Sequence, residues 1–394
     1  MQFNTHISHK SAPLSAVKEI VASISHDNLS AVICYFTQEY SAKELQQAFH
    51  LLLPNIPIIG CSSCKGVMTE KGVHFGPVVG VLTIQDEKSS AYGSALVETN
   101  EFHDIKESAN EALNQALKKA NRIGEVPSFI VLHATPGIEE PLIEAIDEYF
   151  HTQVPIIGGS AADDRIEGHW SIFTETGSTT AGLALQLFYS SKNVTAGLSA
   201  GYSPTEFIGT VTKANNRELL EIDHQPAKDV YLEWISDHAG IELPNHFVFD
   251  LVTEFPIGRS VGKVYSKPYY KLSHPINITD NKGLLLFTNV QQGDEVTLMS
   301  GGKKQLIARA SRIINETKHQ IQFENDVIGA ICIICAGAML YLKQDIHDVF
   351  KNILQELNNR PFICPFTYGE QGRFIDGKNA HGNLMISSAV FHSN

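Results

Sequence analysis

AVICYFTQEYSAKELQQAFHLLLPNIPIIGCSSCKG, residues 31–66, recurs in outline as SFIVLHATPGIEEPLIEAIDEYFHTQVPIIGGSAADD at 128–164 and as AICIICAGAMLYLKQDIHDVFKNILQELNNRPFICPFTYGEQG at 330–372. Each stretch is an apolar run, an amphipathic segment, a second short apolar run and a turn rich in small residues. That order is β-α-β-turn, three times over. In the third copy Ile346, Val349, Phe350, Ile353, Leu354 and Leu357 mark one helical face. In the first, Ser41 and Glu44 form a capping box, and in the second Pro136-Gly137 breaks the chain before the helix.

The unit extends both ways. A further amphipathic segment precedes each copy, beginning at Leu14, Ile105 and Leu306, and a further apolar run follows each turn, beginning at Val78, Gly182 and Asn383. Helices laid against mixed sheets define the α/β class, here repeated β-α-β units in two domains. Residues 192–301 differ. They hold short alternating runs (VTAGLSAG, EFIGTVTKA, FVFDLV, YYKLS, GLLLFTNV) and one helical stretch, AKDVYLEWI. The expected domains are 1–222, with two copies, and 223–394, with the irregular β segment and the third copy.

The chain has 394 residues, 43% hydrophobic, enough for more than one core. Lys+Arg 30 against Asp+Glu 43 gives a net charge of −13, which repels phosphate backbones and argues against nucleic acid. The N-terminus has no apolar signal region, so a cytoplasmic protein is expected. The uncharged stretch 327–342 is shorter than the ~20 residues a membrane span needs and reads as a buried strand running into a turn. No membrane insertion is expected, and the six Cys should be thiols.

Turns after the second apolar run are where small residues let backbone N–H groups converge on a ligand. Gly60, Cys61 and Ser62, then Gly159, Ser160, Ala161 and Asp163, then Tyr368, Gly369 and Glu370 are the ligand-binding candidates. Tight-turn geometry alone is the competing reading. Cys61 and Cys64 have half of a metal site or a redox pair, whereas Cys332 and Cys335, three apart on a strand, should face opposite ways as buried hydrophobes. His133 and His381 open three readings: axial haem ligand, polar pocket residue or core histidine. Walker, dinucleotide and nucleophile-elbow motifs are missing, and no lysine stands in a setting that suggests a Schiff base. An enzyme using Ser160 or Cys61 as nucleophile is the minority reading.

The segments PIIGCSSCKGV, VPIIGGSAADD, GYSPTEFIGTVTKANNRELLEIDHQPAKDVYLEWI, Cys335-Ala336-Gly337 and FTYGEQG, with His381-Gly382-Asn383, resemble the FIST family over nearly the whole chain. Cys64 and Gly382 depart from its common pattern. The resemblance implies a non-catalytic intracellular sensor of a small ligand. Its partner in trans would be a signalling enzyme, a histidine kinase or a cyclic-di-GMP protein, because two FIST domains use up the length. It also implies kinship with stand-alone members that bind haem b and sense nitric oxide.

Overall fold

The computed structural model describes residues 1–100, 104–241, 249–264, 267–320 and 326–393. Its helices are α1 Pro13–Ala22, α2 Ala42–Leu52, α3 Ile105–Ala120, α4 Glu139–Phe150, α5 Ala227–Ala239, α6 Phe249–Glu254, α7 Lys303–Lys318, α8 Ala336–Leu342 and α9 Ile346–Glu356.

Each of the three stretches opens on a strand buried on both faces, and strict alternation divides its side chains. From Leu29–Phe36, Ala31, Ile33 and Tyr35 enter one shared central core, while Val32, Cys34 and Phe36 lie under α1 and α2. From Phe129–Ala134, Phe129 and Val131 point inward and Ile130, Leu132 and Ala134 pack under α3 and α4. From Val327–Cys335, Ile331 and Ile333 point inward and Ala330, Cys332 and Ile334 pack against α7, α8 and α9. Period-two geometry thus turns an unbroken apolar run into two cores, and three sheets enclose the inner one.

Every first strand pairs in parallel with the strand after its helix: Leu29–Phe36 with Ile58–Ser62, Phe129–Ala134 with Ile156–Ser160, and Val327–Cys335 with Phe362–Thr367. Beyond that second strand the chain leaves its own sheet. The hairpin Gly66–Thr69/Gly72–Phe75 joins the third sheet, Ile172–Thr174/Gly177–Thr179 joins the first, and Glu370–Arg373/Asn379–Gly382 joins the second. The exchange closes on itself, so each turn is a crossing between sheets.

The remaining sheet runs through Ser203–Asn215, Glu218–Ile222, Ile257–Val264, Lys267–Ser273, Pro275–Ile278, Leu284–Leu286 and Glu295–Ser300, with α5 packed on it. Four expectations need correction. Of FVFDLV, residues 247–248 lie outside the described residues and the rest is in α6. The GLLLFTNV run is strand only at Leu284–Leu286. The uncharged stretch enters a helix, α8, where a turn was expected. Because Cys335 ends its strand as the N-cap of α8, it leaves the alternation and shares one core with Cys332. No helix among the described residues is long and apolar enough to cross a membrane.

Candidate functional site

The three turns do converge, but they spend their donors on each other. Ala162 N–H donates to the Ser62 carbonyl (3.1 Å), Cys64 N–H to Phe366 O (2.9 Å), Ser160 N–H to Gly369 O (3.2 Å) and Tyr368 N–H to Ser160 O (3.0 Å). Gly60 is small because the Phe173 ring fills the space a Cβ would need (2.2 Å), and Gly159 because Thr367 does (2.3 Å). Gly60, Cys61, Ser62, Gly159, Ser160 and Ala161 are all buried. Close inter-sheet packing accounts for the small residues at these positions.

Cys61 faces the central core and Cys64 the third sheet's outer core, so the structure does not bring them together. Burial pushes both thiols up, Cys64 to about 12, which suits neither a thiolate ligand nor a nucleophile. His133 stands in the central core with both ring nitrogens engaged: Nδ1 with the Gly159 carbonyl (2.9 Å) and Nε2 with Tyr35 Oη (3.2 Å). Burial lowers it to about 4, so it is a neutral core histidine with no nitrogen left for iron.

Asp163 organises the next element. Its carboxylate accepts N–H bonds from Arg165, Ile166, Glu167 and His169 at 2.6–3.0 Å and the Tyr368 hydroxyl at 2.7 Å. Burial raises its pKa, but the Tyr368 bond and the backbone donors outweigh this and hold it below the usual value. The loop so fixed forms one wall of a cavity of about 300 Å³. The other walls are Pro275, Ile276 and Phe287 from the irregular sheet, and Cys335, Gly337 and Leu340 from the third unit. Tyr368 and Gly369 complete the lining. His274, Phe287 and Tyr368 make a row of rings with interplanar angles of 30°. Arg165, exposed, stands among the few polar groups of the lining. Largely apolar walls with a few polar groups suit a small ligand. Glu370 stays behind this lining, fully buried and pushed well up by desolvation, its Oε2 accepting the Met385 N–H (3.0 Å).

Beside the cavity the irregular sheet is clamped to α4. Arg217 donates to Glu139 (2.6 Å) and Glu140 (3.2 Å), Asn289 N–H donates to Glu140 (2.9 Å), and Ser160 Oγ donates to Glu139 (2.6 Å). Ser160 is therefore a buried strut between a strand end and α4. Ligand atoms of Glu139, Glu140 and His381 fall within 4.8 Å of one another, yet Arg217 already pairs with both carboxylates and Lys271 stands 3.8 Å from Glu140, so the trio is part of an ion-pair cluster. His381 Nε2 has no hydrogen-bond partner and lies 4.0 Å from Glu139. The cleft beside it, about 250 Å³ with Glu140, Glu144 and Lys271 in its walls, is a poor fit to a large apolar macrocycle. Neither histidine fits an axial haem role.

Sequence reasoning missed Phe287, His274, Arg217 and Lys271, all within the irregular segment. It also missed Glu139 and Glu140, which read as ordinary first-turn acids complementing a helix dipole.

Residues 30–225 match the FIST N domain and residues 227–373 the FIST C domain. An uncharacterized protein of Methanocaldococcus jannaschii, MJ1623, is 23% identical; the match covers 76% of this chain and spans 59% of that relative's length. A crystal structure of cyanuric acid hydrolase from A. caulinodans aligns over 100% of this chain and 99% of its own, with a TM-score of 0.33 and 8% identity. The two domain matches together take in most of the chain, which belongs to the FIST family, whose domains are small-ligand-binding signalling modules.

Proposed function

We propose that the protein is a non-catalytic sensor that takes a small, flat, mostly apolar molecule into the 300 Å³ cavity and reports its presence to a signalling enzyme in trans, a histidine kinase or a cyclic-di-GMP protein. One observation carries this reading. The cavity wall is drawn from the loop of the second unit, the irregular segment and the Cys335–α8 turn of the third, so one ligand contacts three parts of the chain that are far apart in sequence. A molecule binding there favours whichever arrangement of those pieces closes around it, and differential affinity is all that a signal needs. The ring row supplies aromatic contact, and Asp164 and Arg165, side by side in the lining, favour a ligand with a polar end.

The placement of His133 and His381 speaks against haem as that ligand. Purified protein reconstituted with haem should show no Soret band that shifts on adding nitric oxide.

A thermal-shift screen of small aromatic compounds tests the pocket, with Leu340→Trp as control because its ring would fill the cavity. Stabilisation of the wild type, and none of the variant, is expected. Equal shifts in both proteins would remove the cavity from the account.

A further inference from the structure

We propose that Lys271 is a reactive amine that condenses with small carbonyl compounds entering the cleft between α4 and the strand Asn379–Gly382. Lys271 belongs to the strand Lys267–Ser273, and its side chain is 15% exposed, so it is reachable yet largely out of water. Its nearest carboxylate oxygen, Glu140 Oε1, is 3.8 Å from Nζ, beyond hydrogen-bond distance. Among the described residues no acceptor takes a hydrogen bond from this ammonium. A buried amine with three donors and no hydrogen bond is poorly stabilised in its charged form. The cleft it faces holds about 250 Å³, with Ile143, Val261 and Phe374 as apolar walls, and His381 opens onto it.

Charged and titratable groups from every neighbouring element set the protonation of Lys271, with Lys378 and His381 lining the same cleft. Burial lowers its pKa first and Arg259, from the adjacent strand, lowers it further; Glu140 and Glu144 from α4 and Asp294 raise it, leaving it at about 8. A desolvated lysine beside a second cation is a known arrangement for amine nucleophiles. At neutral pH roughly a tenth of such amines are unprotonated, against well under a thousandth for a surface lysine.

The reaction balances without an outside reagent. The Nζ lone pair attacks the carbonyl carbon, a C–N bond forms, and the C=O π pair moves to oxygen, which takes up a proton as nitrogen loses one. The carbinolamine then expels that oxygen as water, giving Lys–N=CH–R plus H2O from Lys–NH2 and R–CHO. His381 Nδ1 meets the Gln371 amide nitrogen (3.2 Å), a donor, which leaves the ring proton on the unpartnered Nε2, free to donate to the carbonyl oxygen.

The test is reductive trapping. The full chain is incubated with propanal and cyanoborohydride at pH 7, and each lysine is followed by peptide mapping. Lys271 should be alkylated about tenfold or more faster than exposed Lys18 and Lys88. Its rate should level off above pH 8 while theirs still climbs. Lys271→Arg should lose that label alone. Labelling of Lys271 at or below the rate of Lys88, or only in denatured protein, overturns the proposal.

Discussion

The central core and the seam around α4 differ in how completely their polar groups are matched. At the core, three turns cross between sheets, their backbone donors bond one another, and His133 is satisfied at both nitrogens. That core still leaves two buried polar atoms without partners, Gln186 Oε1 and Ser387 Oγ, whereas at the seam five gather: Arg217 Nε, Arg259 Nε, Gln371 Oε1, Asn379 Oδ1 and His381 Nε2. Unmatched groups cost stability, and natural proteins tolerate them mainly where function uses them. The convergence of small-residue turns is therefore architecture, and the less regular junction beside it is where a ligand has something to bind.

Variants can break this contrast, and the largest effect belongs to the core. A Cβ at Gly158 would stand 1.7 Å from the Leu132 carbonyl oxygen, backbone against backbone. Gly158→Ala should yield no folded protein, seen as loss of near-UV circular dichroism.

Next is the clamp. Arg217→Met leaves Glu139, 1% exposed, without its counter-charge and Glu140 with only Lys271, 3.8 Å away. Removing one partner of a buried pair costs about 3–5 kcal/mol, to be read in urea unfolding. A loss below about 1 kcal/mol would mean that the seam is wetter than the contacts indicate.

The pH dependence sharpens the comparison further. Burial lowers His133 and His274 to about 4. A histidine with a depressed folded value contributes fully above its unfolded value near 6.5, and that stability is lost as pH falls toward 4. Each should contribute roughly 3 kcal/mol across that window. Glu370 runs the other way: raised by burial, it stabilises below about 4.5 and loses that contribution as pH rises. Glu370→Gln should thus gain stability relative to wild type above pH 5, measured by thermal melts across pH.

The smallest effects concern reactivity. Cys61 and Cys64, buried in separate cores, should form no mutual disulfide under mild oxidation, which mass spectrometry of intact peptides checks. Ser160, buried and donating to Glu139, should resist a fluorophosphonate probe.

How much of this could be read in the sequence follows from what is local. The doubly buried first strands were legible as unbroken apolar runs, and α9 as a clean helical stripe, because both are set by periodicity over a few residues. The hairpin exchange was not legible, since Val67 pairing with Pro365, or Gly159 with Glu370, is a contact between distant segments that no local pattern encodes. Of the cavity, Tyr368 and Gly369 were within reach because they sit in a repeated turn. Phe287 and His274 were not, because they lie just outside the short strands of the irregular segment and only tertiary packing brings their rings into line with Tyr368. Lys271 read as the polar partner in an alternating strand, and only tertiary packing removes its solvent.

The central claim is that the ligand is held in the 300 Å³ cavity beside the seam. Native mass spectrometry of wild type and Leu340→Trp, isolated from the same cells, tests it most directly. The account predicts a small-molecule adduct on the wild type that the variant lacks. An adduct of the same mass on both, or on neither, would contradict it.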